Sequence, residues 1–239
     1  MKVMFAIALR ELNGYIRQPA GWIILALYLL LAGIVFAASV LVPGRAATLR
    51  DFFALSGWLF LPVVPAVSMR LIAEELRSGS IEYLLTSPVG CFSLVWGKYL
   101  GALAFIILLL IPTLTYPTLL ILYSNPAPPL GPLVAGYMCL ILLGGVYLGI
   151  GLIASTLTAN PTLAFMLTLF SILGVLFAPL AADASPSWAR EVLARLSFGG
   201  RIADFSRGIL DTGHIIFFAT IAAASVMLSG VVMEVRRWR

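Results

Sequence analysis

From residue 99 to residue 182 the chain runs 84 residues without one Asp, Glu, Lys, Arg or His. A water-soluble domain carries roughly 25% charged residues, so this stretch has to be solvated by something other than water. A helix that crosses a bilayer takes ~20 mostly apolar residues, and the run is too long for one or two of them. Clusters of Pro and Asn at 124–132 and 158–161 cut it twice and leave three spans. Shorter uncharged runs at 18–44, 52–69 and 215–233 supply one span each. The predicted spans are 21–41, 52–73, 97–123, 133–157, 162–180 and 214–235. Of 239 residues, 62% are hydrophobic, so little chain is left for a soluble domain. The fold class is an all-α integral membrane protein with six transmembrane helices, a single transmembrane domain over 1–239.

An even number of spans places both termini on one side. The segment between the second and third spans lies on that side too. Lys2, Arg10, Arg17, Arg70, Arg77, Lys98, Arg236, Arg237 and Arg239 make nine basic residues there, against six on the other side, Arg45, Arg50, Arg190, Arg195, Arg201 and Arg207. Basic residues close to span ends favour the cytoplasm, so the termini are expected to be cytoplasmic. The basic pI follows from these flanking residues and implies no nucleic-acid partner. The partner they imply is the lipid bilayer.

Residues 1–18 are expected to form an interfacial helix, not a cleaved signal peptide, because Arg10, Glu11 and Arg17 interrupt them. Phe5, Leu9, Leu12 and Ile16 share one face at 100° per residue, and Lys2, Arg10, Asn13 and Arg17 the other.

Several activities are excluded. No ionisable residue falls near the middle of a predicted span, which argues against ion-coupled transport within this chain. A phosphate-binding loop needs Gly-x4-Gly-Lys-[Ser/Thr]. Of the two lysines, Lys98 is followed by Tyr99 and has no glycine at the required spacing. The chain is therefore expected not to be an enzyme. His214 is the lone histidine, and Cys91 and Cys139 lie too far apart along the fold to pair, so neither a metal site nor a cofactor site is expected.

The charged segment 74–88 stands between two apolar spans. Gly79 suits the left-handed position just past a helix end, so the second span is expected to continue as helix to Ser78. A short helix can restart at Gly79 or Ser80, with Glu82 in its first turn, Ile81, Leu84 and Leu85 on one face, and Pro88 at its end. It is either a polar turn with lipid-facing leucines or a knob that docks on a soluble partner.

The pattern Arg70-x3-Glu74-Glu75-x-Arg77-x-Gly79-x2-Glu82-x-Leu84-Leu85-x-Ser87-Pro88 resembles the corresponding segment of ABC-2 type transporter permeases. Leu196-Ser197 and Phe205-x-Arg207-Gly208-Ile209-Leu210-Asp211 resemble the outer hairpin of the same family, closest to its gliding-motility branch. The resemblance implies a membrane permease subunit of an ABC exporter in a bacterial inner membrane. It also implies a separate ATPase subunit that holds ATP and Mg, a second permease subunit, and an optional auxiliary extracytoplasmic subunit. Glu74, Glu75, Arg77, Gly79, Glu82, Leu84, Leu85 and Pro88 would form the coupling segment on the ATPase. Phe205, Arg207, Gly208 and Asp211 would belong to an outer helical hairpin over 183–211. The other function class that fits is a structural or regulatory membrane subunit of a motility or envelope complex that uses the same body without transport.

Two further patterns stay open between function and packing. Pro62 and Pro65 in the second span, and Pro112 and Pro117 in the third, are expected to kink their helices. Thr113, Thr115 and Tyr116 beside the second pair could line a substrate path or pack against a neighbour. In the outer hairpin, Trp188, Val192 and Leu196 share one stripe and Ile202, Phe205 and Ile209 another. Two short helices separated by Gly199-Gly200 and ended near Gly208 are expected, either as a gate or as a surface cover. Small residues four apart, Gly33 and Ala37, Gly97 and Gly101, Gly145 and Gly149, Ser225 and Ser229, allow close helix approach.

Thiol labelling of intact spheroplasts tests the topology. Arg207→Cys should react with an impermeant reagent from outside, and Glu82→Cys should react only after the membrane is opened. The opposite pattern would invert the assignment.

Overall fold

The computed structural model describes residues 2–40, 48–80, 90–124, 128–182, 198–206, 208–209 and 211–237. In chain order the helices are α1 (Lys2–Arg17), α2 (Pro19–Ser39), α3 (Arg50–Ser68), α4 (Ala73–Ser78) and α5 (Cys91–Leu110). A 3-10 turn (Pro112–Leu114) joins α5 to α6 (Thr115–Tyr123). Then come α7 (Leu130–Leu157), α8 (Pro161–Ala182), α9 (Phe198–Ser206) and α10 (Thr212–Arg237). Among the described residues six stretches are long and apolar enough to cross a membrane, Pro19–Ser39, Arg50–Ser78, Cys91–Tyr123, Leu130–Leu157, Pro161–Ala178 and Thr212–Arg237. They match the six spans expected from the sequence. Short-range chemistry sets their ends. Pro19 opens α2 behind extended Gln18. Asn160 Oδ1 accepts from the Thr162 N–H at the start of α8, and Asp211 Oδ1 from Gly213 N–H at the start of α10.

The central helix is α7. Its most apolar window is 72% buried, against 17% for α8 and 22% for α2, so the last two keep their apolar sides for lipid or a partner. Around α7 pack α10, α3, α8, α5 and α9. Small residues make this possible. Gly149 lies against Ser225 of α10, Gly151 against Ser68 and Thr168, and Gly136 against Phe53. Gly97 and Gly101 face α1, so three of the small-residue pairs serve packing inside the chain.

The helix α1 is more than a surface helix. Met4 and Ile7 meet Gly97, Ala8 and Glu11 meet Gly101, and Tyr15 stacks on Phe105 at 4.7 Å. These pairings advance together, so α1 runs parallel to the first half of α5. Of the predicted apolar face, Phe5, Leu9 and Ile16 point outward, and Leu12 packs against the core. The packing face is a different one.

The second span departs from its prediction. Pro62 and Pro65 lie inside an uninterrupted α3, and the break comes after them, over residues 69–72. Breaking a helix there frees main-chain groups, and five of them find partners as follows. Tyr15 Oη donates to the Val67 carbonyl at 2.9 Å. Leu71 N–H turns back to the Ser68 carbonyl at 3.1 Å. Ser155 Oγ on α7 accepts from Ile72 N–H and Ala73 N–H at 3.0 and 2.9 Å. The same hydroxyl donates to the Met69 carbonyl at 3.4 Å. The chain can bend here because α1 and α7 replace the lost helical bonds.

At the opposite end, α9 lies on α7 and α3. Gly199 and Gly200, expected between two helices, are themselves helical. They lie inside α9, next to Phe198, which is anchored, 3% exposed, against Phe217 and Phe218. Ile209 leaves the expected stripe and is 52% exposed, since the chain has turned at Gly208, φ 86°. The stripe that packs is Phe198, Ile202 and Phe205. The residues 183–197, including Trp188, Val192 and Leu196, lie outside the described residues.

Ser155→Ala removes the acceptor for two buried N–H groups at once. Each unsatisfied buried donor costs about 1–3 kcal/mol. The purified chain in detergent should therefore unfold at a clearly lower temperature, and Ser155→Thr, which keeps the hydroxyl, should recover most of the loss. An unchanged midpoint in Ser155→Ala would show that water serves these donors equally well.

Candidate functional site

The sequence AEELRS makes α4 one and a half turns long, with Glu74 and Glu75 at its start and Arg77 at its end, the order that suits the helix dipole. Its residues divide by direction. Glu74, Arg77 and Ser78 are exposed. Glu75 turns inward, and its Oε1 lies 2.8 Å from Lys98 Nζ. Glu11 Oε2 of α1 lies 3.3 Å from the same nitrogen. Lys98 is 2% exposed, and its two carboxylates are 19% and 18% exposed. One buried cation therefore bridges three helices, α1, α4 and α5. Gly97 and Gly101 flank it in sequence and bring α1 close enough for Glu11 to reach.

Tyr15 completes the junction. It is buried between α1, α3 and α5, and burial, followed by the nearby Glu11 carboxylate, pushes its phenol well above the usual range. It stays protonated and donates to Val67. On one flank of α4 a cleft of about 220 Å³ opens between Arg10, Gln18, Arg70, Glu74 and Glu75. On the other flank a hollow of about 520 Å³ lies between Arg70, Glu74, Arg77 and the start of α8 at Pro161 and Thr162. The short helix is thus a ridge between two hollows at one end of the bundle. Arg236 Nη2 donates to the Leu157 carbonyl at 3.2 Å, so the last helix ends here as well.

Past the ridge, Gly79 takes φ 72°, the left-handed conformation expected of it, and nothing lies within 4 Å of where a Cβ would sit. Ser78 Oγ and Ser80 Oγ are 2.9 Å apart, and both reach the Glu75 carbonyl, which holds the turn. Glu82, Leu84, Leu85 and Pro88 lie outside the described residues.

The third-span residues come together as a joint. Pro112 ends α5, and Pro117 cannot donate to the Thr113 carbonyl four residues back. Tyr137 Oη on α7 donates to that carbonyl instead, at 2.8 Å. Thr113 is buried, and its hydroxyl donates to the Leu110 carbonyl. Tyr116 stacks on Phe36 at 4.4 Å and meets Phe52 edge-on. Thr115 is exposed, its hydroxyl bonded back to Pro112.

At the far end, Phe205 is fully buried against Phe218 and His214. A Cβ on Gly208 would meet Pro132 at 2.9 Å, so this glycine is required both by its φ and by its neighbour. Asp211 caps α10. Arg207 lies outside the described residues. Ser155 and Pro132 are 23 residues apart on α7, so ridge and hairpin are separated by about 35 Å at the rise of an α-helix.

Residues 5–194 match a family described as ABC-2 family transporter protein. The chain belongs to that family. An ABC-2 protein is a membrane permease component of an ABC transporter, and the family in general works with an ATPase subunit and in a dimeric arrangement. No curated protein matches the chain. In this ABC-2 protein the expected coupling residues divide. Glu74, Arg77 and Gly79 are presented outward, and Glu75 is held inside by Lys98.

Sequence reasoning missed Glu11, Lys98, Tyr15 and Ser155. A signal for the first was present. Glu11 shares a face with Ile7 and Tyr15 and stands away from the arginine face, which is an unusual place for an acid on a membrane helix. For Ser155 there was none, since a serine in an apolar helix is ordinary.

Lys98→Met leaves two carboxylates facing each other without a cation. Removing one partner of a buried ion pair costs about 3 kcal/mol. The expected result is a loosened α1, read as faster tryptic cleavage at Arg10 and Arg17. The double change Lys98→Met with Glu75→Gln should be milder than Lys98→Met alone. If Lys98→Met resists trypsin as well as the parent, the three-way bridge does not hold α1.

Proposed function

We propose that this chain is the permease half of an ABC exporter in a bacterial inner membrane, driven by a separate ATPase that docks on the α4 ridge and residues 80–88. In this reading both termini and α4 face the cytoplasm. The observation that supports it is the Lys98 bridge. A docking surface transmits force only if it is tied to the elements that must move, and a six-residue helix on a bent chain is otherwise a loose lever. Lys98 joins α4 to α1 and α5 through charge, and Ser155 joins its first turn to α7 through two hydrogen bonds. A push on the ridge is thereby delivered to three helices.

Within the same reading, the proline joint at 112–117 is where the third span flexes, and Thr115 and Tyr116 lie along the wall that substrate passes. Two such chains pair to enclose that path, and α9 covers its far end. The chain itself hydrolyses nothing, and ATP and Mg belong to the ATPase.

The test is at the apolar anchors. Leu84→Asp with Leu85→Asp places carboxylates where an apolar contact is proposed, and losing central anchors of this kind costs about 2 kcal/mol or more. The variant should insert normally and lose co-purification with its ATPase, or keep it with hydrolysis uncoupled from transport. Arg190→Ala, in the outer hairpin, should behave as the parent. Normal binding and normal transport by the Asp pair would remove the docking role from this segment.

A further inference from the structure

Beside the ridge, at the elbow between α1 and α2, lies a cavity with a different character. Its volume is about 200 Å³, and its walls are Tyr15, Gln18, Ile23, Ile24, Ala66 and Arg70. The polar groups gather at one end. Gln18 sits between α1 and α2, and Arg70 sits two residues beyond α3. Ile24 is six residues into the bundle from Gln18, about 9 Å along the helix, and Ala66 lies inside α3, four residues before Arg70. The cavity therefore grades from a cationic mouth to an apolar floor between α2 and α3.

Its position fixes its surroundings. Trp22, 59% exposed, donates from its indole Nε1 to the Ile16 carbonyl at 2.7 Å. A tryptophan held in this way beside a span end marks the headgroup level. Ile23 next to it is 66% exposed, so the floor of the cavity opens sideways toward acyl chains. The mouth holds a cation with spare capacity. Arg70 has one polar contact among the described residues, Gln18 Oε1 at 3.5 Å, and no carboxylate within ion-pair range. The acids nearby are Glu11, Glu74 and Glu75. Glu11 and Glu75 are committed to Lys98, and Glu74 is exposed on the ridge. Arg10 lines the adjoining cleft and adds positive potential.

We propose that this cavity binds one anionic glycerophospholipid, with its phosphate on Arg70 and Gln18 and one acyl chain between Ile24 and Ala66. A guanidinium offers paired N–H donors that match phosphate oxygens. The Gln18 amide, now accepting from Arg70, can donate from its nitrogen. A zwitterionic choline lipid would bring its quaternary ammonium up to the same arginines, so the net charge of the headgroup decides the preference. A bound lipid would brace the α1–α2 elbow and the end of α3, the joint that the Tyr15–Val67 hydrogen bond also closes. This site shares Arg70 with the hollows that flank the ridge, and its other walls belong to the α1–α2 elbow and to α3.

The test uses the full-length chain, extracted gently and examined by native mass spectrometry with phosphatidylglycerol or phosphatidylcholine added. One phosphatidylglycerol per chain should be retained about fivefold better than phosphatidylcholine, the ratio expected for one cationic side chain at a membrane surface. Arg70→Ala should abolish that preference, and Arg50→Ala, at the other end of α3, should keep it. Ile24→Trp, which fills the floor, should reduce retention of both lipids, with the thermal midpoint measured on each variant to show that it is folded. Inorganic phosphate at millimolar concentration should not displace the lipid. Displacement by phosphate would show that the mouth is a free-anion site and overturn the lipid assignment. Equal retention of the two lipids, or of phosphatidylglycerol by Arg70→Ala, would overturn it as well. If no lipid is retained and Ile24→Trp converts dimers to monomers, the cavity is a seam between copies and the proposal fails.

Discussion

The end of the bundle that carries the ridge depends on one buried ammonium group. Lys98 is almost without solvent, and moving a bare cation out of water costs several kcal/mol. It is held there by two carboxylates from two other helices, 2.8 and 3.3 Å away. The arrangement contributes more to specificity than to net stability, because the desolvation cost consumes much of the attraction. Its effect is geometric. With two acids on one cation, neither α1 nor α4 can move away from α5 without stranding a charge. The flanking Gly97 and Gly101 are part of the same device, since a side chain at either position would meet α1 before the charges did.

The second physical theme is the handling of broken helices inside a membrane. Water is absent there, so each freed main-chain group has to find a protein partner. Three hydroxyls do this. Tyr15 takes the Val67 carbonyl, Ser155 takes two N–H groups at the start of α4, and Tyr137 takes the Thr113 carbonyl that Pro117 cannot serve. In every case the hydroxyl comes from a different helix than the break. The bends are therefore tertiary features, and each one fastens its helix to a neighbour as it forms. A bend fastened in this way is a defined joint with two packed sides, which is what a conformational cycle in a transporter needs.

The two ends of the molecule contrast. Around the ridge the chemistry is charged and open, with hollows on both flanks of α4. At the far end it is aromatic and closed. Phe198 and Phe205 pack on Phe217 and Phe218, and Arg201 lies over the Phe217 ring with its guanidinium carbon 3.4 Å from the centroid. One end keeps its charged groups exposed on a short helix, and the other seals against the bundle. α8 and α2, the least buried spans, keep apolar flanks outward.

The sequence by itself determined the number of spans and their limits to within a few residues, with the start of the third six residues earlier than predicted. It also determined the left-handed Gly79 and the turn at Gly208. These are local matters. Twenty apolar residues must form a helix in lipid, and a glycine is needed wherever φ turns positive. The ridge was legible too, as a run of charge between apolar spans. Tertiary structure alone decided which acid faces in and which faces out, where the second span breaks, and what Lys98 is for. Pro62 and Pro65 were the visible breakers, yet the chain bends four residues later, where Ser155 waits to receive it. Spacing along the chain cannot show this, because Ser155 lies more than eighty residues away in sequence. The cost of a bend or of a buried charge depends on what stands opposite, and only the packed structure puts Glu11, Glu75 and Ser155 opposite anything.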